Sequence, residues 1–116
     1  MNFADQAIKK TQEKGPLVVG LDPHFQFLPP YLWEKWVEKE GKTWEALSHC
    51  VLEFNSLILQ ALTSVAGFAK IQVAFYEALG VPGMIALKET IDEARRKDFI
   101  VILDGKRNDV ASTATF

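Results

Sequence analysis

The sequence predicts an α/β protein built from parallel strand–helix units. Three short apolar runs, at residues 17–22, 68–73 and 99–104, are rich in β-branched side chains and bounded by turn residues. Stretches of helical periodicity separate these runs, and strands that alternate with helices form a parallel sheet or a barrel. The chain has 116 residues, 48% of them hydrophobic and 24% charged, which is typical of one small globular domain and excludes a mostly disordered chain.

The first strand follows a short helix. Residues 3–14 place Phe3, Ala7 and Ile8 on one face, and Gly15-Pro16 predicts the end of this helix. Residues 17–22 then form a continuous apolar run, which predicts a strand buried on both faces. Asp22-Pro23 predicts its end.

Two helices and a second strand follow. Residues 31–39 predict a helix that stops before Gly41, and Thr43 predicts the N-cap of a longer helix to about residue 65. Residues 68–73 predict the second strand. The three tryptophans and the single cysteine are predicted to be packing residues: Trp33, Trp36, Trp44 and Cys50.

The last third of the chain repeats the pattern. A turn is predicted around Tyr76, Gly80, Pro82 and Gly83, followed by a helix at residues 85–97 and the third strand at 99–104. A further helix is predicted to begin near Val110.

Composition excludes several classes of function. The formal net charge is −2, so no basic excess indicates nucleic-acid binding. One cysteine and two histidines cannot complete a closed structural metal site or an intrachain disulfide. Residues 51–69, the most apolar stretch, carry too many polar side chains for a membrane span, and the N-terminus lacks the pattern of a secretory signal. These features predict a cytoplasmic protein with no membrane partner.

Charged residues occur where the predicted strands end. Asp22 ends the first strand, Lys70 lies within the second, and Asp104 ends the third. Ligand-binding groups collect at the carboxyl ends of parallel strands. Alternation along a strand places Asp104 and Lys106 on one face, with Asp109 beyond the strand end. Asp104 and Asp109 are therefore the candidate partners of Lys70, which would be costly to bury unpaired.

Alternating carboxylates and lysines support two interpretations. Opposite charges keep one another ionised, and such an array can hold a lysine ready to donate a proton to a substrate. The alternative is an ordinary ion-pair cluster on the rim of a sheet, because perturbed charges mark function only probabilistically.

Three motifs follow one another along the chain: Gly-Leu-Asp-Pro at 20–23, Lys-Ile-Gln-Val-Ala-Phe-Tyr-Glu at 70–77 and Asp-Gly-Lys-Arg-Asn-Asp-Val-Ala-Ser-Thr at 104–113. In this order they resemble the orotidine 5'-phosphate decarboxylase family, in particular its longer bacterial branch. The resemblance implies a (β/α)8 TIM barrel of which residues 1–116 are the N-terminal part, about the first three βα units. It implies decarboxylation of orotidine 5'-phosphate to uridine 5'-phosphate without a metal or other cofactor.

The resemblance also implies residue roles. Lys70, Asp104, Lys106 and Asp109 match the family's charged tetrad, in which Lys106 would protonate C6 of the pyrimidine and Asp104 would lie near the substrate carboxylate. Lys70 would bind the ribose and the neighbouring aspartate. Asp109 would enter the partner subunit's site in a homodimer. Two further substrate contacts are implied, at Asp22 for a ribose hydroxyl and at Thr113.

Three other interpretations stay open. Sugar-phosphate decarboxylases and aldolases of the same superfamily share the Asp-x-Lys-x-x-Asp element but use magnesium and carry a carboxylate at the position of Lys70. The chain could also be a truncated, non-catalytic fragment, since such barrels typically need about 250 residues and no counterpart of the family's phosphate-binding loop occurs here. A small ligand-binding module has only the strand-end charges to support it.

Overall fold

The structure, a computed structural model, describes residues 2–105 and contains one three-stranded parallel sheet. The strands are β1 (Val18–Gly20), β2 (Phe68–Gln72) and β3 (Ile100–Asp104), in the order β1-β2-β3. Both pairings are parallel, with Lys70 opposite Gly20 on one side and Ile102 on the other. The predicted α/β class with parallel strands is therefore confirmed.

The first helix, α1 (Phe3–Lys14), forms as predicted. Asn2 caps it by accepting a hydrogen bond from the Asp5 N–H at 2.8 Å, and the chain leaves it at Gly15 with φ +84°. Lys10 lies nearly buried on this helix, and its stem packs so closely on Gly67 that a β-carbon there would lie 2.5 Å from Lys10 Cγ. This contact holds α1 against the chain that enters β2.

Within residues 2–105, β1 is not buried on both faces, so that prediction is wrong. Leu21, Ala69 and Ile71 are almost completely buried, whereas Val18 is 50% exposed and Lys70 is also exposed. Side chains of neighbouring residues point to opposite faces of a strand. The helices therefore cover the face that carries Leu21, Ala69 and Ile71. The opposite face is buried at Phe68, where β2 begins, and is open at Lys70 nearer the carboxyl end of the strand.

Two antiparallel helices follow β1: α2 (Pro30–Glu40) and α3 (Trp44–Leu62), joined by a turn through Gly41. Thr43 is the N-cap of α3, as predicted, and its hydroxyl oxygen accepts from the Ala46 N–H at 3.0 Å. Glu53 of α3 binds both Lys35 and Trp36 of α2, each at 2.9 Å. Trp44 is 59% exposed, so its predicted packing role is wrong.

The turn predicted after β2 is instead a short helix, α4 (Val73–Glu77), followed at once by α5 (Gly80–Arg96). Pro82 lies in the first turn of α5, where a missing N–H costs little. Gly83 is required by packing, because a β-carbon there would lie 2.1 Å from the Tyr76 carbonyl oxygen. The glycine and proline that suggested a loop thus serve the close approach of two helices.

The connection from α5 to β3 is fixed by Asp98, which has φ +64°, a left-handed conformation that aspartate tolerates better than most residues. The Lys10 ammonium lies 2.7 Å from the Asp98 carboxylate and donates to its carbonyl oxygen at 2.8 Å. The core lies between the sheet and the helices, and its largest fully buried side chains include Cys50, Tyr76, Leu21, Leu32, Leu59, Ile71 and Val51. The part of the chain that the structure describes contains no helix with the length and apolarity to cross a bilayer.

Candidate functional site

The open face of the sheet carries the predicted charged residues. Lys70 is paired in register with Gly20 and Ile102, and one layer further along the strands Gln72 is paired with Asp104. Paired residues of parallel strands share a face, and so do residues two apart on one strand. Lys70, Gln72 and Asp104 therefore lie on one face, near the carboxyl ends of β2 and β3.

Asp22 joins this group from the end of β1. Its carboxylate accepts a hydrogen bond from the backbone N–H of Gln72 and interacts electrostatically with Lys70 and Asp104. Its backbone carbonyl accepts from the His24 N–H at 2.8 Å, which tightens the turn after the strand. The structure thus brings together Asp22, Lys70 and Asp104, each contributed by a different strand.

Opposing influences act on the Asp22 carboxyl group. Asp22 is exposed as a residue, but the protein around its carboxyl group displaces enough water to raise the pKa above the ordinary 3.8. The N–H of Gln72 and the charge of Lys70 lower the pKa, and the charge of Asp104 raises it. A carboxylate and an ammonium group held in this way present fixed charges of both signs to a polar ligand.

Sequence reasoning missed Gln72 and Tyr76. The signal for Gln72 was available, because a residue two positions after Lys70 in a strand faces the same side. Tyr76 looked like a turn residue, and only the structure shows that it is fully buried with its hydroxyl donating to the Leu21 carbonyl at 2.9 Å. Three further predicted site residues, Lys106, Asp109 and Thr113, lie outside the described residues.

An apolar pocket lies against Pro23, the residue that follows Asp22 in the sequence. It has a volume of about 360 Å³ and lies between the turn after β1, the start of α3 and the region of α4. His24 contributes its ring, which lies 6.0 Å from the ring of Phe75. The pocket is lined by Pro23, His24, Trp44, Leu47, Phe75, Ala78 and Leu79.

Comparisons with known proteins agree with the geometry of the sheet. The sequence profile of the orotidine 5'-phosphate decarboxylase / HUMPS family matches residues 15–115. An orotidine 5'-phosphate decarboxylase from Clostridium tetani is 36% identical over 110 residues, covering 95% of this chain and 35% of the relative. One from Clostridium perfringens is 34% identical over 112 residues, covering 97% of this chain and 36% of the relative. The chain thus spans about a third of the length of these relatives.

Solved structures give the same result. A Toxoplasma gondii crystal structure, provisionally described as an orotidine-monophosphate decarboxylase, superimposes with a TM-score of 0.70 at 29% identity. It covers 97% of this chain, which in turn spans 34% of that protein. A Streptomyces avermitilis structure, provisionally described as an orotidine 5'-phosphate decarboxylase, gives 0.65 at 31% identity, covering 96% of this chain and 35% of that one. The three parallel strands are part of a TIM-barrel arrangement, and the chain belongs to the orotidine 5'-phosphate decarboxylase / HUMPS family.

Proposed function

We propose that this chain contributes the first three βα units of an orotidine 5'-phosphate decarboxylase and carries most of its charged catalytic residues. The observation that carries the proposal is the convergence of Asp22, Lys70 and Asp104 on one face at the carboxyl ends of three consecutive parallel strands. Catalytic groups of TIM barrels collect at this end. The family match adds the motif Asp104-Gly105-Lys106, which continues directly from β3.

The proposed reaction breaks the bond between C6 of the pyrimidine and its carboxylate group. Carbon dioxide leaves, the bonding electron pair stays on C6, and the Lys106 ammonium donates a proton to that carbon. One lysine can stabilise the developing negative charge and then supply the proton. Asp104 would lie near the substrate carboxylate, and Lys70 would hold the ribose and the neighbouring aspartate.

The remaining contacts complete the proposal. Asp22 binds a ribose hydroxyl, and Thr113 contacts the substrate. Asp109 enters the site of a second subunit in a homodimer. The reaction uses no metal or other cofactor, because charged side chains supply both the electrostatic stabilisation and the proton.

The test uses a chimera in which residues 1–116 replace the matching third of the Clostridium tetani relative. The purified chimera is expected to convert orotidine 5'-phosphate to uridine 5'-phosphate, measured by chromatography of the two nucleotides. Lys106→Ala is expected to lower the rate by roughly a thousandfold or more. Lys88→Ala serves as the control, since Lys88 lies exposed on α5 and pairs only with Asp92 within the described residues.

Three results would count against the proposal. A folded chimera without decarboxylase activity would show that these residues do not support the reaction. A Lys106→Ala chimera with near-normal activity would show that the proton donor is a different group. Loss of activity on adding a chelator would favour the magnesium-dependent sugar-phosphate relatives instead.

The 116-residue chain by itself is expected to be inactive. Remote binding energy from the substrate phosphate drives such chemistry, and the family's phosphate-binding loop has no counterpart in these residues.

A further inference from the structure

Three buried polar side chains lie directly beneath the end of β1. Asn55 of α3, Tyr76 of α4 and Thr90 of α5 are each at most 1% exposed. Asn55 donates from Nδ2 to the Tyr76 hydroxyl at 2.9 Å and to Thr90 Oγ1 at 3.1 Å. The Tyr76 hydroxyl donates to the Leu21 carbonyl at 2.9 Å. This cluster, the Asn55 cluster, connects three helices to the residue that precedes Asp22.

The hydrogen bonds between β1 and β2 show which ladder bond the contact between the Tyr76 hydroxyl and the Leu21 carbonyl replaces. The β1–β2 register ends with Gly20 opposite Lys70, and the N–H of the next residue, Leu21, donates to the Lys70 carbonyl at 2.9 Å. In a parallel ladder the next bond would join the Leu21 carbonyl to the N–H of Gln72. Here the Leu21 carbonyl accepts from Tyr76, and the Gln72 N–H donates to the Asp22 carboxylate. Both groups of the missing ladder bond therefore bind side chains.

We propose that Tyr76, oriented by Asn55, is a positioning residue that ends the β1–β2 ladder at Leu21 and thereby leaves the Gln72 N–H to hold the Asp22 carboxylate in place. The orientation of the tyrosine follows from hydrogen-bond chemistry. Because the Asn55 amide donates to the Tyr76 oxygen, the hydroxyl proton points away from Asn55 and towards Leu21.

The surroundings of Tyr76 keep this donor in its neutral form. Burial raises the pKa of the Tyr76 hydroxyl and outweighs the lowering by the Asn55 hydrogen bond, while the negative charge of Asp22 adds a smaller increase. The packing of Gly83 on the Tyr76 carbonyl fixes the backbone of the same residue. Tyr76 is therefore held at its main chain and at its hydroxyl, which suits a residue that sets the geometry of another.

A first experiment reads the positioning directly and needs no activity. In the full 116-residue chain, the amide proton of Gln72 is followed by nuclear magnetic resonance as pH is varied through the titration of Asp22. An amide that donates to a carboxylate changes its chemical shift when that carboxylate is protonated, so the Gln72 signal is expected to follow the Asp22 titration. Tyr76→Phe, which lets the Leu21 carbonyl take the Gln72 N–H, is expected to abolish this response.

Thr90→Val is the matched control. It removes one buried hydrogen bond from the Asn55 cluster without touching Leu21, and it is expected to leave the Gln72 response intact. Asn55→Ser keeps the tyrosine but removes the amide that orients it, and it is expected to weaken the Gln72 response. This variant provides the test if Tyr76→Phe does not fold. A response that persists in both Tyr76→Phe and Asn55→Ser, or that disappears equally in Thr90→Val, would overturn the positioning role.

A second experiment rests on the proposed function and uses the chimera. Tyr76→Phe is expected to lower kcat/KM about tenfold, as loss of one well-placed hydrogen bond can. In an Asp22→Asn background the same substitution is expected to change kcat/KM by less than about twofold, because it acts through Asp22. A loss of equal size in both backgrounds would show a merely structural role. An inactive chimera would refute the proposed function and leave the positioning role to the first experiment.

Discussion

Gly83 shows how strongly a single position can be constrained by backbone packing. A β-carbon at residue 83 would lie 2.1 Å from the Tyr76 carbonyl oxygen and 2.5 Å from Leu79 Cβ, so neither neighbour can move without shifting a helix. We expect Gly83→Ala to lower the free energy of unfolding by about 1–3 kcal/mol, the usual cost of overpacking. Urea denaturation followed by circular dichroism measures this.

Gly105→Ala is the control for that substitution. Among the described residues, none lies within 4 Å of a β-carbon at residue 105, so the effect on unfolding should stay within about 0.5 kcal/mol. Equal losses for the two variants would show that the contact with Tyr76 is not the cause.

Asp98 is expected to make stability depend on pH. The hydrogen bond and charge of Lys10 hold the pKa of the Asp98 carboxyl below its ordinary 3.8. A carboxyl whose pKa is lowered by folding adds stability above the unfolded-state pKa and loses it as pH falls through the folded-state pKa. Since the Asp98 side chain is 76% exposed, Asp98→Asn should cost only about 0.5–1 kcal/mol at neutral pH.

The pH series provides the check on this ion pair. Asparagine tolerates the left-handed backbone of residue 98, so the variant isolates the charge. The difference between the wild type and Asp98→Asn, measured by thermal unfolding, should begin to shrink as pH falls below about 4 and vanish below the folded-state pKa. A difference that is constant with pH would refute an electrostatic origin.

At the scale of elements, the N-cap of α3 is expected to contribute to the free energy of unfolding. Thr43 satisfies the Ala46 N–H, and α3 is the longest described helix in the core. Thr43→Ala should therefore lower the free energy of unfolding by about 1 kcal/mol, and Thr43→Ser should restore most of it. Thr11→Ala, which removes an exposed hydroxyl within α1, should have little effect and provides the matched control. Equal losses at both threonines would contradict the capping role.

The elements also show what sequence periodicity can predict. The helices at the start of the chain and after Thr43, and all three strands, could be predicted because their apolar spacing and their terminating glycines agree. The helix α4 and the first turn of α5 could not, since Gly80, Pro82 and Gly83 are typical turn residues. These residues occur here because of tertiary packing, since the close contact of Gly83 with Tyr76 exists only after the helices pack.

The positions of the candidate site residues could be predicted only in part. Alternation and the parallel topology place Asp22, Lys70 and Asp104 at one end of the sheet. The hydrogen bond from Tyr76 to the Leu21 carbonyl could not be predicted, because it joins residues 55 positions apart and depends on the buried orientation of one ring. Lys106, Asp109 and Thr113 remain predictions.

At the scale of the whole molecule, this chain differs from a complete barrel in the open face of its sheet, which further strands would enclose in a barrel. Val18 is half exposed on that face. In the 116-residue chain, Val18→Thr should change the free energy of unfolding by less than about 0.5 kcal/mol. In the chimera with the Clostridium tetani remainder, where further strands enclose the same face, the buried hydroxyl should cost about 1–3 kcal/mol. Denaturant unfolding of the two pairs measures the difference, and equal costs would contradict enclosure of this face.

The contact between Gly67 and Lys10 has an evolutionary consequence. The lysine stem occupies the space that any side chain at residue 67 would need, while its ammonium group is held by Asp98. Neither position can change alone without loss: a larger residue at 67 displaces the lysine, and a shorter residue at 10 leaves a gap beside the glycine and an aspartate without its cation. Homologous sequences should therefore exchange these positions together, with glycine at 67 wherever a long basic side chain stands at 10.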